Sequence, residues 1–522
     1  MRAPSSSSRN PQVMQALRRS AIPVLASVLM VSASATAGTP DLVETDISGL
    51  QHALATGSTT SRAVVTQYLD RIERYDKSGP KLNALIALNP LALEEAQLLD
   101  AERTRSGPRS LLHGIPLIVK DNFDTKDMPT TAGCLCLKDH RPASDATMIS
   151  LLRDAGAIIL GKSNLDEFAA NIMSVSSLGG TTLNPYNTTR IPGGSSGGTA
   201  AAIAANLGVA GLGTDTSGSI RIPASFNSLV GVRPTVGLLS RTGIVPLAAT
   251  QDTGGPMTRT VRDAAIMLDV LAKYDGKDVA TAFAPAKRTL SYTDVLTADA
   301  LKGARIGILG GMWDDKTDAA DPQLKVFTEA VHDLKRLGAD VVPVTLSNLG
   351  DILSYASSSR FEFKFLLNEY LARPAQGGHV RSLADILASG AYNAPSKSTY
   401  ERAQARDSLT APDYEHILLT RTRMVRDAIM HAMADHQLDA LVYPPTRKGP
   451  VLISQEQEFN KNSMLSSFSG YPAVAVPAGF TEAGLPMGIE FLGRPFSESL
   501  LLSLAYSYEQ GTLKRRPPAH FQ

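Results

Sequence analysis

Several features that define whole classes of protein are scarce in this chain of 522 residues. Only two cysteines occur, Cys134 and Cys136; their two-residue spacing strains a disulfide, and two ligands are too few for a closed zinc site. We therefore expect neither a disulfide scaffold nor a metal. The 51 basic and 50 acidic side chains leave a net charge of +1, which excludes the basic footprint of a nucleic-acid-binding protein.

Long apolar runs are also scarce, and the one candidate lies near the N-terminus. Arg18 and Arg19 precede an apolar stretch at 21–31, and small residues (Ala-Thr-Ala) follow at 35–37. Basic residues, a short apolar stretch and a small-x-small site are typical of a secretory signal peptide. We expect cleavage after Ala37 and export to the periplasm or the outside of the cell, because the stretch is too short for a stable membrane span.

Glycine and serine, by contrast, are concentrated in two loops. Gly-Gly-Ser-Ser-Gly-Gly occupies 193–198, and Thr-Asp-Thr-Ser-Gly-Ser occupies 214–219. The apolar segment 199–207 between them predicts a buried helix that Gly208 ends. Such glycines let a backbone approach a ligand closely, and the serines present hydroxyls. The pattern therefore favours an acyl-transfer site over a flexible linker.

Three interpretations of these serines compete. Ser195 and Ser196 each fit a Gly-x-Ser-x-Gly nucleophile elbow, but an elbow needs a preceding strand, and the proline-containing stretch 184–192 is turn-like. A phosphate-binding loop would need Gly-Lys-Ser/Thr after the glycines, which the sequence lacks. Ser219 follows a short apolar run, 207–212, that predicts a buried strand ending in a tight turn. We favour Ser219 as the nucleophile.

The two loops and an upstream stretch, His-Gly-Ile-Pro-Leu-Ile-Val-Lys-Asp-Asn at 113–122, together resemble the motifs of the amidase signature family of serine hydrolases. Lys120 and Ser195 lie 75 residues apart, and Ser195 and Ser219 lie 24 apart, as the family pattern leads one to expect. The resemblance covers residues 41–518. It implies an α/β/α sandwich, in which helices cover both faces of a large mixed sheet, and a Ser–Ser–Lys triad made of Lys120, Ser195 and Ser219.

The resemblance also implies a mechanism for hydrolysis of an amide or an ester. Ser219 attacks the carbonyl, Ser195, preceded by a cis peptide bond, relays the proton to a neutral Lys120, and water releases the acyl group. Burial beside hydroxyls would favour a neutral lysine, which can act as a base. Many family members carry glycine where this chain has Ser217, but the backbone donor is unchanged. The oxyanion hole is expected to consist of the backbone N–H groups of Thr216, Ser217, Gly218 and Ser219.

Further expectations concern organisation and substrate. Residues 38–522 are expected to form a single domain whose helical variable region, about 350–437, helps to cap the pocket. Asp215 and Arg221 are expected to pair and brace the nucleophile turn. The substrate is expected to be a small-molecule or peptide amide, without a cofactor, and the enzyme a monomer or homodimer. Three residues are expected to contact the substrate: Ala169, Asn171 and Met173.

Three rival functions stay open at this point. An α/β-hydrolase-type esterase would use Ser195 or Ser196 together with a C-terminal histidine: His416, His431 or His436. A glutamine-dependent tRNA amidotransferase A subunit would share the triad but work in the cytoplasm with partner subunits, which the predicted signal peptide argues against. A non-catalytic binding protein would have no need of all three triad residues.

Overall fold

The computed structural model describes residues 41–284, 291–313, 321–458 and 461–522. The predicted signal peptide, residues 1–37, lies outside these ranges, so its cleavage stays a prediction. The described residues belong to one compact unit. None of the helices in these ranges is both long and apolar enough to pass through a bilayer.

The strands are numbered here in chain order. Within the described ranges they are β1 Leu85–Leu88, β2 Pro116–Lys120, β3 Arg141–Pro142, β4 Ile158–Ser163, β5 Val175–Ser176, β6 Gly180–Thr181, β7 Ala210–Asp215, β8 Val230–Arg233, β9 Thr253–Thr258, β10 Arg305–Leu309, β11 Asp340–Val344, β12 Ala375–Gln376, β13 Ala440–Tyr443, β14 Ala473–Phe480 and β15 Pro486–Leu492.

Eleven of these strands form one sheet, in the order β1-β4-β2-β7-β9-β8-β14-β15-β13-β10-β11. β2 runs parallel to β4 and β7, and β10 runs parallel to β11 and β13. The remaining neighbours are antiparallel. The sheet is therefore mixed, as the resemblance implies.

The helices within the described ranges are also numbered in chain order. They are α1 Ile47–Ala55, α2 Ser61–Ile72, α3 Ala92–Ser106, α4 Thr147–Asp154, α5 Gly197–Ala204, α6 Arg221–Phe226, α7 Val261–Leu271, α8 Pro322–Arg336, α9 Leu349–Ser354, α10 Ser359–Leu371, α11 Leu383–Ser389, α12 Lys397–Gln404, α13 Pro412–His416, α14 Thr422–Asp435, α15 Met464–Ser469 and α16 Glu498–Thr512.

The central strands are buried on both faces. Every residue of β2, β4, β7, β9 and β15 is buried, and successive side chains of a strand point to opposite faces of the sheet. Both faces must therefore be covered. α5 packs on β2 and β7, whereas α16 packs on β14 and β15. The predicted α/β/α architecture is confirmed.

The segment between the two glycine-serine loops differs from the prediction in its boundaries. The buried helix is present, but α5 ends at Ala204, and Asn206 then adopts a left-handed conformation with φ 56°. Gly208 does not end the helix; a Cβ there would lie 2.8 Å from a side-chain carbon of Ile118, so this glycine allows close packing against β2. The following strand, predicted at 207–212, is β7 and begins three residues later, at Ala210.

Cys134 and Cys136 form a disulfide, which corrects the expectation from their spacing. A short 3₁₀ turn, Leu135–Leu137, brings the two Cα atoms to 5.1 Å, within the usual range for a disulfide. The prediction was wrong because it assumed an extended segment, in which these Cα atoms would be about 7 Å apart, whereas the turn brings them closer.

The region predicted to be helical and variable contains α9 to α14. A 3₁₀ turn, Ala394–Ser396, lies between α11 and α12. This region covers the loop after β4, because Phe168 packs against the rings of Phe363 on α10 and Tyr400 on α12. Glu167 fixes the same contact, accepting hydrogen bonds from Tyr400 Oη at 3.0 Å and from the Asn393 N–H at 2.9 Å.

Candidate active site

Lys120 is the last residue of β2, and its side chain is fully buried. Its Nζ lies 2.7 Å from Ser195 Oγ, 2.8 Å from Thr214 Oγ1 and 3.4 Å from the Thr214 carbonyl oxygen. Because β2 and β7 are parallel neighbours, Lys120 and Thr214 reach the same edge of the sheet. Three oxygens thus surround an amine that carries three protons when charged.

These surroundings favour the neutral form of the lysine. Burial lowers the pKa of the Lys120 amine to about 7, although the negative charges of Asp166, Asp215 and Asp252 oppose the change. All three hydrogen-bond partners of Nζ are uncharged oxygens. A substantial fraction of Lys120 is therefore an uncharged base at neutral pH.

Ser195 and Ser196 have different surroundings although they are neighbours. Ser195, joined to Gly194 by a cis peptide bond, lies against Lys120. The Ser196 hydroxyl donates to the Thr214 carbonyl oxygen at 3.1 Å and accepts from the Thr214 N–H at 3.2 Å. Ser196 therefore fastens this loop to β7, and its hydroxyl is engaged on both sides.

Neither serine occupies a nucleophile elbow. Residues 182–196, which precede α5, contain isolated bridges rather than a strand. No hydrogen bond among the described residues joins the three histidines of the esterase alternative to the glycine-serine loops, and His416 pairs with Tyr355 Oη. The esterase arrangement is therefore not assembled in this structure; His416, His431 and His436 all lie on or just after α13 and α14.

Ser219 lies in the turn that joins β7 to α6. Its carbonyl oxygen accepts a hydrogen bond from the Ser196 N–H at 3.2 Å, which brings the two glycine-serine loops together. Gly218 has φ 121°, and a Cβ there would lie 2.4 Å from Ser463 Oγ, so this position of the turn requires glycine. Ser219 is 5% exposed, and no hydrogen bond among the described residues joins its hydroxyl to that of Ser195.

The expected oxyanion hole needs one correction. The Gly218 N–H donates to Asp215 Oδ1 at 2.8 Å and is therefore not available to a substrate. The carboxylate of Asp215 folds back over the turn and also accepts the Ile220 N–H at 3.1 Å. The other predicted donors have no acceptor among the described residues; they are the N–H groups of Thr216, Ser217 and Ser219.

Asp215 and Arg221 pair as expected, within a larger buried network. Arg221 Nε lies 3.1 Å from Asp215 Oδ2, and Arg221 Nη1 lies 2.5 Å from Glu490 Oε1. Arg233 Nη1 reaches Asp215 Oδ1 at 2.9 Å. Burial raises the pKa of the Asp215 carboxyl, but the two guanidinium groups outweigh burial and hold this pKa below its usual range. Asp215 is thus a permanent anion that fixes the turn.

Replacing Arg221 with leucine is expected to lower the free energy of unfolding by about 3–5 kcal/mol, because Glu490 loses its cation and Asp215 loses one of two. Urea unfolding followed by the fluorescence of the single tryptophan measures the loss. Lys325→Gln breaks an exposed ion pair and, as the control, is expected to cost less than about 1 kcal/mol. Equal losses in both variants would contradict a bracing role for Arg221.

The three residues expected to contact substrate lie in different places. Ala169 lines a cavity of about 410 Å³, whose lining also includes Thr214, Thr216 and the apolar residues 244–247. Asn171 is exposed, and its Oδ1 accepts the N–H of the next residue at 2.8 Å. The Met173 sulfur accepts the Gln457 N–H at 3.3 Å. Only Ala169 of the three lines this cavity.

Sequence reasoning missed several residues that build the site. Thr214 Oγ1 accepts from both Lys120 and Asn122, the latter at 2.9 Å. Gln251 Nε2 donates to the Thr216 carbonyl oxygen at 2.9 Å, while its Oε1 accepts the Ser358 N–H at 2.8 Å just before α10. Thr214 and Asn122 both belong to the motifs and could have been found there. The role of Gln251 could not be predicted from the sequence, because its partners Thr216 and Ser358 lie 35 and 107 residues away.

Comparison with known proteins places these features in a family. A family model described as Amidase matches residues 63–502, which include Lys120 and both glycine-serine loops. The solved structure of the native peptide amidase from Stenotrophomonas maltophilia superposes with a TM-score of 0.82 at 40% sequence identity. The match covers 91% of this chain and 98% of that chain.

Two curated relatives show the same extent of similarity. A probable amidase of Arabidopsis thaliana is 37% identical over 484 residues, which cover 88% of each chain. The A subunit of the glutamyl-tRNA(Gln) amidotransferase from Myxococcus xanthus (strain DK1622) is 35% identical over 495 residues, covering 89% of this chain and 97% of that protein. The similarity therefore extends over nearly the whole length of these proteins and is not confined to the motifs.

Proposed function

Since the chain belongs to the amidase signature family and is an amide-hydrolysing enzyme, we propose that Lys120, Ser195 and Ser219 are its catalytic triad. One observation carries the proposal: a fully buried lysine with uncharged partners lies 2.7 Å from the Ser195 hydroxyl. A paired structural lysine would have a carboxylate beside it. A lysine with a lowered pKa beside a serine has instead the properties of a general base.

We propose the following mechanism for this triad. Ser219 Oγ attacks the amide carbonyl carbon and gives its proton to Ser195 Oγ, whose own proton passes to Lys120 Nζ. The oxygens of Thr214 then accept hydrogen bonds from the ammonium. Return of this proton through Ser195 to the leaving nitrogen expels the amine and leaves an acyl group on Ser219. Water attacks the acyl-enzyme with the same relay, which restores the free serine.

Backbone N–H groups stabilise the charge that develops on the carbonyl oxygen. We assign this task to Thr216, Ser217 and Ser219, because the Gly218 N–H already donates to Asp215. Asp215 is itself fixed by two arginines, so the donors of the turn are held in place before substrate arrives. Such preorganisation is typically worth a factor of about 10²–10³ in rate for each donor.

The proposed substrate is a peptide with a C-terminal carboxamide. Support comes from the peptide amidase of Stenotrophomonas maltophilia, 40% identical over nearly its whole length. A second candidate, the A subunit of a glutamine-dependent amidotransferase, is supported by the relative from Myxococcus xanthus at 35% identity. Both would use the same triad and release ammonia, so ammonia release alone does not distinguish one candidate from the other. They differ in the acyl donor and in the need for partner subunits.

A panel of amides tests the substrate proposal. The purified enzyme is incubated with C-terminal peptide amides, small aliphatic amides, aryl acylamides, fatty amides and glutamine, and ammonia or amine release is measured together with the mass of the acid product. We expect turnover of peptide amides by the chain alone. Hydrolysis of glutamine that appears only on addition of amidotransferase partner subunits would instead favour the second candidate.

We also propose that the enzyme is exported. The signal-peptide pattern at residues 18–37 supports export, and so does the Cys134–Cys136 disulfide, because disulfides persist mainly in oxidising compartments. When the full chain is produced in a bacterial host, the periplasmic or secreted protein is expected to begin at Gly38, as read by intact mass. Ala37→Leu should block this cleavage. A wild-type product that keeps residues 1–37 would contradict the prediction.

A further inference from the structure

Asp166 is a buried carboxylate that the proposed mechanism does not use. It follows β4, is 1% exposed and contacts the catalytic loop through its backbone, since its N–H donates to the Ser195 carbonyl oxygen at 3.2 Å. Its Oδ1 accepts the N–H groups of Met173 at 3.1 Å and Val175 at 3.3 Å. Oδ1 of Asp166 therefore holds the loop that contains Met173 and Val175.

The other half of the carboxylate has no hydrogen-bond partner among the described residues. Asp166 Oδ2 is buried and unpaired, and it lies against Gly194, because a Cβ on that glycine would be only 2.1 Å from Oδ2. A buried carboxylate oxygen without a donor is costly, and most such groups are paired. A residue that served only to hold the loop would need no negative charge, since asparagine could accept the same two N–H groups through one oxygen.

The electrostatic partner of this unpaired charge is Lys120. Three carboxylates act electrostatically on Lys120, namely Asp166, Asp215 and Asp252. Asp166 also lies against Gly194, directly before the serine whose hydroxyl is 2.7 Å from Lys120 Nζ. Asp215 is already compensated by Arg221 and Arg233. The Asp252 carboxylate accepts hydrogen bonds from the Thr216 hydroxyl and from two backbone N–H groups. Asp166 itself interacts electrostatically with Lys120 and with Tyr400 of α12, which donates a hydrogen bond to the adjacent Glu167.

We propose that Asp166 is a positioning residue that holds the Ser195 backbone beside Lys120 and, through its unpaired carboxylate charge, stabilises the proton that Lys120 receives during the relay. The inference rests on the proposed triad. When Ser219 attacks, the proton that reaches Lys120 makes an ammonium in a fully buried site. Burial raises the pKa of the Asp166 carboxyl to about 6, so at neutral pH and above its negative charge offsets the cost of that ammonium as it forms.

Loss of the Asp166 charge is expected to change the pKa of Lys120 in a defined direction. The Asp166 charge attracts a proton to Lys120, so removing the charge lowers the pKa of the lysine and makes it a weaker base. Asp166→Asn keeps the shape and the acceptor for Met173 and Val175. We expect the acidic limb of the pH dependence to move to lower pH by roughly one unit, while the plateau rate falls about tenfold or more.

The rate of covalent labelling by a fluorophosphonate, measured against pH, tests the inference without knowledge of the substrate. The control is Glu167→Gln, a neutral substitution of the next residue, whose carboxylate is bonded to Tyr400, Asn393 and Ser177. This control is read only for the position of the acidic limb, which we expect to coincide with that of the wild type. Should Asp166→Asn not accumulate as folded protein, Asp166→Ser removes the charge while retaining an acceptor.

The outcomes are distinct. A limb displaced to lower pH in the Asp166 variant alone supports the inference. A slower reaction with an unmoved limb would overturn it and leave Asp166 a structural residue of the loop. Failure of the wild-type enzyme to label at all would count against the proposed triad and not against the role of Asp166 specifically.

Discussion

Replacing Ser219 with alanine is expected to abolish amide hydrolysis, with a loss of several decades in kcat/KM. The reason is that Ser219 supplies the oxygen that bonds to the acyl group, and the other two residues of the triad have no other nucleophile to activate. The substitution removes one atom from a residue that is 5% exposed and makes no side-chain hydrogen bond in the described structure, so little stability is lost. Turnover of a C-terminal peptide amide by the folded variant measures the effect.

Intact mass after fluorophosphonate treatment separates loss of the nucleophile from loss of the fold. The wild type is expected to gain one adduct, and Ser219→Ala is expected to gain none. Ser196→Ala is the matched control, because that hydroxyl lies in the neighbouring loop and bonds only to the Thr214 backbone. We expect this control to be labelled. An adduct that persists in Ser219→Ala would move the nucleophile to Ser195 or Ser196.

The chain also shows where sequence alone stops being informative about the site. Lys120 and Lys162 are both fully buried lysines in neighbouring parallel strands. Nothing local to either sequence distinguishes a base from a structural cation. The structure does, since Lys162 Nζ lies 2.8 Å from Asp121 Oδ1, whereas Lys120 has only uncharged partners. Motif spacing selected Lys120 correctly as the residue beside Ser195, but the physical reason lay in contacts made across strands.

This limit also applies to the fold, of which the sequence predicted some elements but not the contacts between distant groups. The apolar run 207–212 located the central strand β7, and the apolar segment 199–207 located the buried helix α5, although their boundaries differ by a few residues. Contacts made after the chain turns were not predictable. The Cys134–Cys136 disulfide depends on a 3₁₀ turn, and the engagement of the Gly218 N–H depends on how the Asp215 carboxylate folds back. Local sequence carries little information about either geometry.

The same limit applies to the residues that connect the site with its surroundings. Gln251 joins the turn after β7 to Ser358, just before α10, and Glu167 joins the loop after β4 to α12. Gln251 and Ser358, like Glu167 and Tyr400, are separated by more than 100 residues. Single side chains therefore join the helical region to the turn after β7 and to the loop after β4. No periodic sequence pattern predicts such links.

Replacing Lys120 with methionine is the second change expected to stop the reaction, with a loss in kcat/KM that approaches that of Ser219→Ala. Methionine fills a similar volume without a lone pair on nitrogen, so Ser195 has no base to which it can pass a proton. The matched control is Lys162→Met, which removes a buried lysine that lies in the adjacent strand. That control is expected to lower the unfolding temperature by leaving Asp121 without its cation, while the folded fraction still turns over substrate.

The pH dependence of the wild-type enzyme is a second test of Lys120 as the base. Burial lowers the pKa of Lys120 to about 7, and only the neutral amine can accept the relayed proton. We therefore expect kcat/KM to rise as the pH increases through about 7 and to level off above it, because protonation below this value converts the base to an ammonium. The limb is expected in the labelling rate of Ser219 as well. A rate that stays constant from pH 5 to 9 would show that no group with a pKa near 7 controls the nucleophile, and it would contradict the expected titration of Lys120.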